Sequence, residues 1–486
     1  MATWDVTEWT IADLAAAMQR GDVTSVQLVQ AYLSRIFAYN TKGSALRAIE
    51  SLAPQAIALA KQLDEERMHQ GPRGPLHGIP IVLKSSIDTA DELPTTAGSR
   101  ALQNHYARRD AWIVGRLREA GAIILGKAAM TEWANFMTVG MPSGYSSLNG
   151  QVKNPYVASA EPGGSSSGCA VAIAANFCAG AIGTETSRSI AHPASLNSVV
   201  GMRPTMGLVS RTGLLPLSVT RDIAGPMARS VYDVALLLNS MAGSDAEDPV
   251  TAQPWHMLTR DFTANLNENT AYQLRELRIG VPRKGFVESL TASQLALFEQ
   301  AIATLRELGI VVIDDIELDT WPLIQNTDVL HYEFKGSLNH YLQMAGAPVS
   351  TLSELLAYNE THAAETLRYG QSILEKCEQT SGRFTEPEYA DALARDRELA
   401  YDQGIRAALE THRLQALLFP SYLGATYAAK AEVPSVYVPA GFDGEGVPFG
   451  VAFTGDKYSD DRLLQVAYGF EQRTKHRRPP QLEEDK

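Results

Sequence analysis

Val26, Val29, Leu33 and Ile36 recur at three- and four-residue intervals, which puts them on one face of a helix. Thr24 and Gln27 form a capping-box pattern in front of that stripe. Thr10 stands at the head of an earlier helix that Gly21 ends. The pattern then changes. Gly78-Ile79-Pro80-Ile81-Val82-Leu83-Lys84 is a short apolar run that delivers a lysine at its end, as a buried strand would. Asp110 is placed to cap a helix through Glu119, and Ala122-Ile123-Ile124-Leu125-Gly126 follows as another strand. Farther on, Ile279-Gly280-Val281 predicts a strand, and Thr291 to Leu308 a helix with its own box (Thr291, Gln294) and a stop at Gly309. From about 324 to 411 the pattern is mostly helical, and such a block suits the roof of a cleft. Strands return at Ala416-Leu417-Leu418-Phe419, Val436-Tyr437-Val438 and, after the turn Asp443 to Gly446, Phe449 to Thr454. Strands near both ends with helices between them predict an α/β core in one large interleaved domain.

Composition narrows the function classes. With 45% hydrophobic and 20% charged residues over 486 positions, the chain has the makeup of a soluble globular protein. Its net charge of −13 argues against nucleic acid as a principal partner, since phosphate binding needs a basic face. The basic run Arg473, Lys475, His476, Arg477, Arg478 is expected to be a solvated tail, and Ser244 to Asn269 a surface linkage. No apolar run approaches the roughly 20 residues that span a bilayer. Met1 to Asn40 carries charges throughout, so no secretory leader is expected. Cys169, Cys178 and Cys377 are too sparse for a disulfide framework, which points to a reducing, cytoplasmic setting.

The densest chemical signal lies between Gly163 and Ser189. A Gly-Gly-Ser-Ser-Ser-Gly run opens a small-residue helix, and a second hydroxyl-rich turn, Gly183 to Ile190, follows it. Such loops suit a nucleophilic serine beside an oxyanion pocket. Gly164-Ser165-Ser166-Ser167-Gly168 matches the nucleophile-elbow pattern, but Pro162-Gly163 interrupts the strand that an elbow requires. The run lacks the ending of a phosphate-binding loop, and the ten histidines show no metal-ligand spacing. The remaining arrangement is a lysine base acting through a relay serine. Lys84 closes an apolar strand, where burial disfavours its charged form.

For this combination the chain resembles the amidase signature family. The resemblance rests on Ile79 to Lys84, Pro94-Thr95-Thr96-Ala97-Gly98, Pro162 to Gly168, Gly183-Thr184-Glu185-Thr186 before Ser189-Ile190, and Asp222 to Arg229. Val433-Pro434-Ser435, Val438 to Phe442 and Arg478-Pro479-Pro480 extend it from about Thr10 to Pro480. It implies one α/β domain over 1–486, with a central mixed β-sheet covered by helices on both faces and a largely helical substrate-cleft insertion at about 324–411. It implies Lys84 as base, Ser165 as relay on a cis peptide, and Ser189 as nucleophile. Backbone N–H groups of Thr186, Ser187, Arg188 and Ser189 would face the oxyanion, and Val139, Gly140 and Met141 would line the acyl side. The activity implied is hydrolysis of a carbon–nitrogen bond in an amide, with anilides, esters and carbamates or urethanes within the same acyl-enzyme chemistry. It needs no cofactor and no metal. The implied partner is a small-molecule amide or carbamate substrate, with no nucleic acid and no membrane, the protein being a monomer or homodimer. Two other readings stand beside it: the catalytic subunit of a tRNA-dependent amidotransferase, and a non-catalytic binding protein.

The chain departs from the family pattern before the nucleophile, where glycine is usual and Ser187-Arg188 stands here. Ser85 also replaces the usual acid after the lysine. Among the neighbours, Ser166 is expected to support the backbone, His192 to be a packed or hydrogen-bonded histidine with no acid partner identifiable, and Asp222 with Arg229 a structural ion pair or a support from behind the site. Trp133, Phe136 and Met137 are expected in the core.

Overall fold

The computed structural model describes residues 4–253 and 260–483. An 11-stranded sheet runs through its centre. Its strands are β1 (Ile49–Leu52), β2 (Pro80–Lys84), β3 (Ile123–Ala128), β6 (Gly180–Glu185), β7 (Val200–Arg203), β8 (Ile223–Ala228), β9 (Arg278–Pro282), β10 (Val311–Ile316), β11 (Ala416–Pro420), β12 (Ser435–Phe442) and β13 (Pro448–Thr454); β4 (Tyr145–Ser146) and β5 (Gly150–Gln151) form a separate hairpin. The order across the sheet is β1-β3-β2-β6-β8-β7-β12-β13-β11-β9-β10. Strands β3, β2 and β6 run parallel, as do β11, β9 and β10, whereas the strands between them pair antiparallel. The fold is therefore α/β with a mixed sheet. Every residue of β2, β3, β7, β8, β11 and β13 is buried, because helices cover both faces. That explains why these strands are written as apolar runs and not as alternating patterns.

The capped helices form as their sequences predict. Helix Ile11–Arg20 has a complete box between Thr10 and Asp13, and Gly21 ends it in the left-handed region at φ 79°. Thr24 and Gln27 cap Ser25–Tyr39, which buries Val29 and Ile36 together with Leu28 and Tyr32. Thr291 and Gln294 cap Ala292–Glu307, and Gly309 follows with φ 82°.

Three local expectations fail, each because a charged group finds a distant partner. The helix after Asp110 is Trp112–Glu119 and carries no side-chain cap. Asp110 instead accepts from Ala90 N–H at 2.7 Å and from Arg118 at 3.0 Å. The stretch Ser244 to Asn269 is not mere surface linkage. Asp245 accepts from the Ser210 and Thr212 hydroxyls, both at 2.6 Å, and Asp248 is paired with Arg211 at 2.5 Å. Residues 254–259 of that stretch lie outside the described residues. The C-terminal basic run leaves Arg473, Lys475 and Arg478 exposed, but its Arg477 is docked on the body of the protein. Arg477 pairs with Glu8 at 2.7 Å and donates to the carbonyls of Ser198 (3.0 Å) and Ala174 (3.1 Å). Ala174 ends helix Ser167–Ala174, where unpaired carbonyls attract cations.

A second apolar core lies beside the main one. Trp133, Phe136 and Met137 pack in it against Leu330, Phe334 and Leu338 of helix Asp328–Ala345. Helices Leu352–Thr361, Ser372–Glu378 and Pro387–Arg397 continue this block, which passes through a π-helical stretch, Glu398–Arg406, into Ala407–His412. No helix among the described residues is long and apolar enough to cross a membrane.

Candidate active site

Parallel strands β2 and β6 pair Leu83 with Ile182, so their carboxyl ends bring Lys84 beside Thr184. This end of a parallel sheet is where α/β folds open their clefts. Lys84 is fully buried, with Nζ 2.8 Å from Ser165 Oγ, 2.9 Å from Thr184 Oγ1 and 3.0 Å from the Thr184 carbonyl oxygen. The carbonyl can only accept, and both hydroxyls can donate or accept. A neutral amine has two N–H donors and one lone pair, so it satisfies this set by donating to Thr184 twice and accepting from Ser165. Burial lowers the Lys84 pKa to about 8. Among the described residues no carboxylate forms an ion pair with it.

The peptide between Gly164 and Ser165 is cis. Gly164 N–H donates to His192 Nδ1 at 3.3 Å, and Ser167 Oγ donates to the Gly163 carbonyl at 2.5 Å. Ser166 joins three segments: its N–H donates to the Ser189 carbonyl at 3.0 Å and its hydroxyl to the Thr184 carbonyl at 3.1 Å. Ser189 is buried and lies in the turn between β6 and helix Ala191–Leu196. Its own hydroxyl makes no hydrogen bond among the described residues, so the contact from Ser165 to Ser189 is not formed as one in the free protein.

The backbone of this turn is left open. Among the described residues, the N–H groups of Thr186, Ser187, Arg188 and Ser189 make no hydrogen bond within the chain. The next two N–H groups are consumed: the buried Glu185 carboxylate accepts from Ile190 at 2.7 Å and from Ala191 at 2.9 Å. Asp222 holds the other side. It accepts the Thr186 hydroxyl at 2.5 Å and the N–H groups of Leu217 and Ser218 at 2.6 and 2.8 Å. Unpaired amide donors beside a buried hydroxyl form a cradle for an anionic oxygen. Replacing Asp222 with Ala frees Thr186 and is expected to lower kcat about 100-fold, the order lost with an oxyanion donor. KM should change little; steady-state kinetics would show a KM-only effect if Asp222 merely shaped the entrance.

Residues 27–432 match the family model described as Amidase. The chain is 38% identical to a probable amidase of Arabidopsis thaliana, over 99% of this chain and 93% of that one. The chain belongs to the amidase family. The native peptide amidase of Stenotrophomonas maltophilia superposes with a TM-score of 0.92 at 42% identity, covering 98% of this chain and 99% of that one. A glutamyl-tRNA(Gln) amidotransferase subunit of Alkalilimnicola ehrlichii is 34% identical over 98% of this chain and 99% of its own length.

Beside Thr184 this amidase-family enzyme has a narrow cavity walled by Ser86, Trp133, Thr186, Leu217 and Phe334. Leu214, Pro216 and Asp222 also line a wider cleft of about 800 Å³, whose far wall is Ser337, His340, Tyr341 and Met344 of helix Asp328–Ala345. That space suits a drug-sized molecule or a short peptide. Val139 and Gly140 are exposed, and Met141 is buried in the second core; the narrow cavity draws its walls from elsewhere.

Several neighbours were not legible in the sequence. His192 does have an acid nearby: Nε2 lies 3.4 Å from the Glu161 carboxylate, which is held down at about 2 chiefly by that histidine. Nδ1 accepts from Gly164, so both ring nitrogens face groups other than Ser189, and the ring packs 4.2 Å from Tyr422. It therefore supports the Ser165 peptide and does not complete a Ser-His-acid triad. Asp222 and Arg229 form no ion pair; Arg229 donates to the carbonyls of Trp9 (2.6 Å) and Cys178 (2.8 Å). Carbonyl oxygens freed at chain turns outcompete a carboxylate already saturated by three donors. Thr184, which fixes Lys84, is visible in the sequence only as part of a motif. Arg188 lies outside the left-handed region, so its turn accepts a side chain without that strain.

Proposed function

We propose that the protein is a serine amidase in which Ser189 attacks an amide carbonyl, with Ser165 as proton relay and Lys84 as base. The contact of 2.8 Å between Lys84 Nζ and Ser165 Oγ, in a fully buried site, carries this reading. Ser189 Oγ forms a bond to the carbonyl carbon while its proton passes to Ser165, which gives its own to Lys84. The oxygen that gains the electron pair is received by the open N–H groups of Thr186 to Ser189. Collapse breaks the C–N bond, and Ser165, resupplied by Lys84, protonates the leaving amine. Water then enters by the same relay, splits the acyl ester and restores the Ser189 hydroxyl.

The likeness to a peptide amidase supports an amide of peptide type as substrate, and the 800 Å³ cleft has room for one. The helical block 324–411 serves as the cleft's roof through helix Asp328–Ala345. The first test is a panel of peptide amides, anilides, esters and carbamates, quenched in acid and read by mass spectrometry. An acyl adduct on the peptide containing Ser189 is expected. An adduct on another residue, or activity appearing only with co-purified subunits and tRNA, would overturn the reading in favour of a different nucleophile or of the amidotransferase branch.

A further inference from the structure

Arg188 immediately precedes Ser189, so its Cα lies about 3.8 Å from that of the nucleophile. The side chain is exposed, and its guanidinium sits 5.7 Å above the Tyr422 ring. Tyr422 packs in turn on buried His192, at 4.2 Å between ring centroids. The cation thus rests on an aromatic platform rooted in the site. Among the described residues, the guanidinium has no ion pair and no hydrogen bond. The nearby Glu161 carboxylate feels this charge, which helps to hold its pKa down, but it is turned to His192 Nε2 at 3.4 Å and forms no ion pair with Arg188.

An arginine fork carries five N–H donors in fixed geometry, matched to the two oxygens of a carboxylate. Stacking on Tyr422 pre-organises that fork while leaving its donors unspent. On a protein of net charge −13, this cation next to the nucleophile, shared electrostatically with Glu161, gives an anionic group a local point of attraction.

We propose that Arg188 is a specificity-determining residue that binds a substrate carboxylate, and that the preferred substrates are amides bearing a free carboxylate a few bonds from the scissile carbonyl. This rests on the serine-amidase reading above. Arg188 acts by direct contact with the substrate, through its side chain, separately from the part its backbone N–H plays in the oxyanion turn.

Matched substrates test it on both sides of the bond. N-acetyl-glutamyl amide is compared with N-acetyl-norleucyl amide, and a 4-carboxyanilide with the plain anilide. The wild-type protein should prefer the carboxylate member of at least one pair, through a lower KM. In Arg188→Gln the ratio of kcat/KM between charged and neutral members should fall about 10- to 100-fold, the range of a charge-assisted hydrogen bond. Arg188→Lys should keep part of the preference, and added salt should weaken it in the wild type. Preference for the neutral member in both pairs, or an equal loss on charged and neutral members in Arg188→Gln, would overturn the proposal. Ser189→Ala on the same substrates separates the two ideas: turnover there above about one-tenth of wild type sinks the amidase reading itself, whereas a Ser189→Ala variant slowed as expected with an unchanged ratio in Arg188→Gln sinks only the role of Arg188.

Discussion

Ser189→Ala and Lys84→Met are each expected to lower kcat/KM by about 10⁴-fold or more, the scale seen when a nucleophile or its base is removed from a unit that acts together. The two losses should not add. The double variant is expected to be no slower than either single one, because Lys84 has no other route to the reaction than through the two serines. Ser165→Ala belongs to the same group, since it removes the hydroxyl that Lys84 contacts and that the proposed relay passes through. The variants should differ in stability. Lys84→Met replaces a buried amine with an apolar side chain of similar length, so thermal unfolding should show no loss. Turnover by Ser189→Ala above about one-tenth of wild type would rule out this serine as nucleophile.

The second large effect is in pH. Lys84 must be neutral to take a proton, and its pKa in the folded protein is about 8. The rate constant kcat/KM should therefore rise about tenfold per pH unit below that value and level off above it, as for a single essential base. His192 does not account for this limb, because burial lowers its pKa below the usual histidine value. The same group gives stability a definite sign. An exposed lysine titrates at about 10.4. Between about 8 and that value the unfolded chain holds a proton that the folded protein does not, so stability rises with pH there. The contribution is fully present above the unfolded value and is lost as pH falls through about 8. Lys127, also buried and lowered to about 8, adds a contribution of the same sign. A rate profile flat from about pH 6 to 9 would contradict a lysine base.

An amine with these properties depends on a fold that dries it. Lys84 ends a strand with parallel neighbours on both sides, under helices on both faces, and it is held by Thr184 from the adjacent strand. The open turn depends equally on its surroundings. Glu185 satisfies the N–H groups just past Ser189, and Asp222 pins Thr186 before it, so the N–H groups left over are those the proposed mechanism offers to an incoming carbonyl. The site is thus defined as much by which backbone groups the protein satisfies as by the side chains of Lys84, Ser165 and Ser189.

Local pattern was enough for the elements whose information is local. The cap at Thr10, the capping boxes at Thr24 and Thr291 and the apolar runs that became β2, β3, β9, β11 and β13 needed no distant partner, because a cap or a buried strand is written in consecutive residues. The chemistry proposed for Lys84, Ser165 and Ser189 was likewise carried by motif order along the chain. Pairings across the fold were not. Asp110 looked like a helix cap and went to Arg118 and Ala90; Arg477 looked like a tail and crossed to Glu8; Asp222 and Arg229, close in sequence, went separate ways. Charged and hydrogen-bonding side chains choose among every partner that packing brings near, and that set exists only once the sheet is assembled. The same holds for Glu161, His192, Tyr422 and Arg188, which come together from three separate segments around one serine.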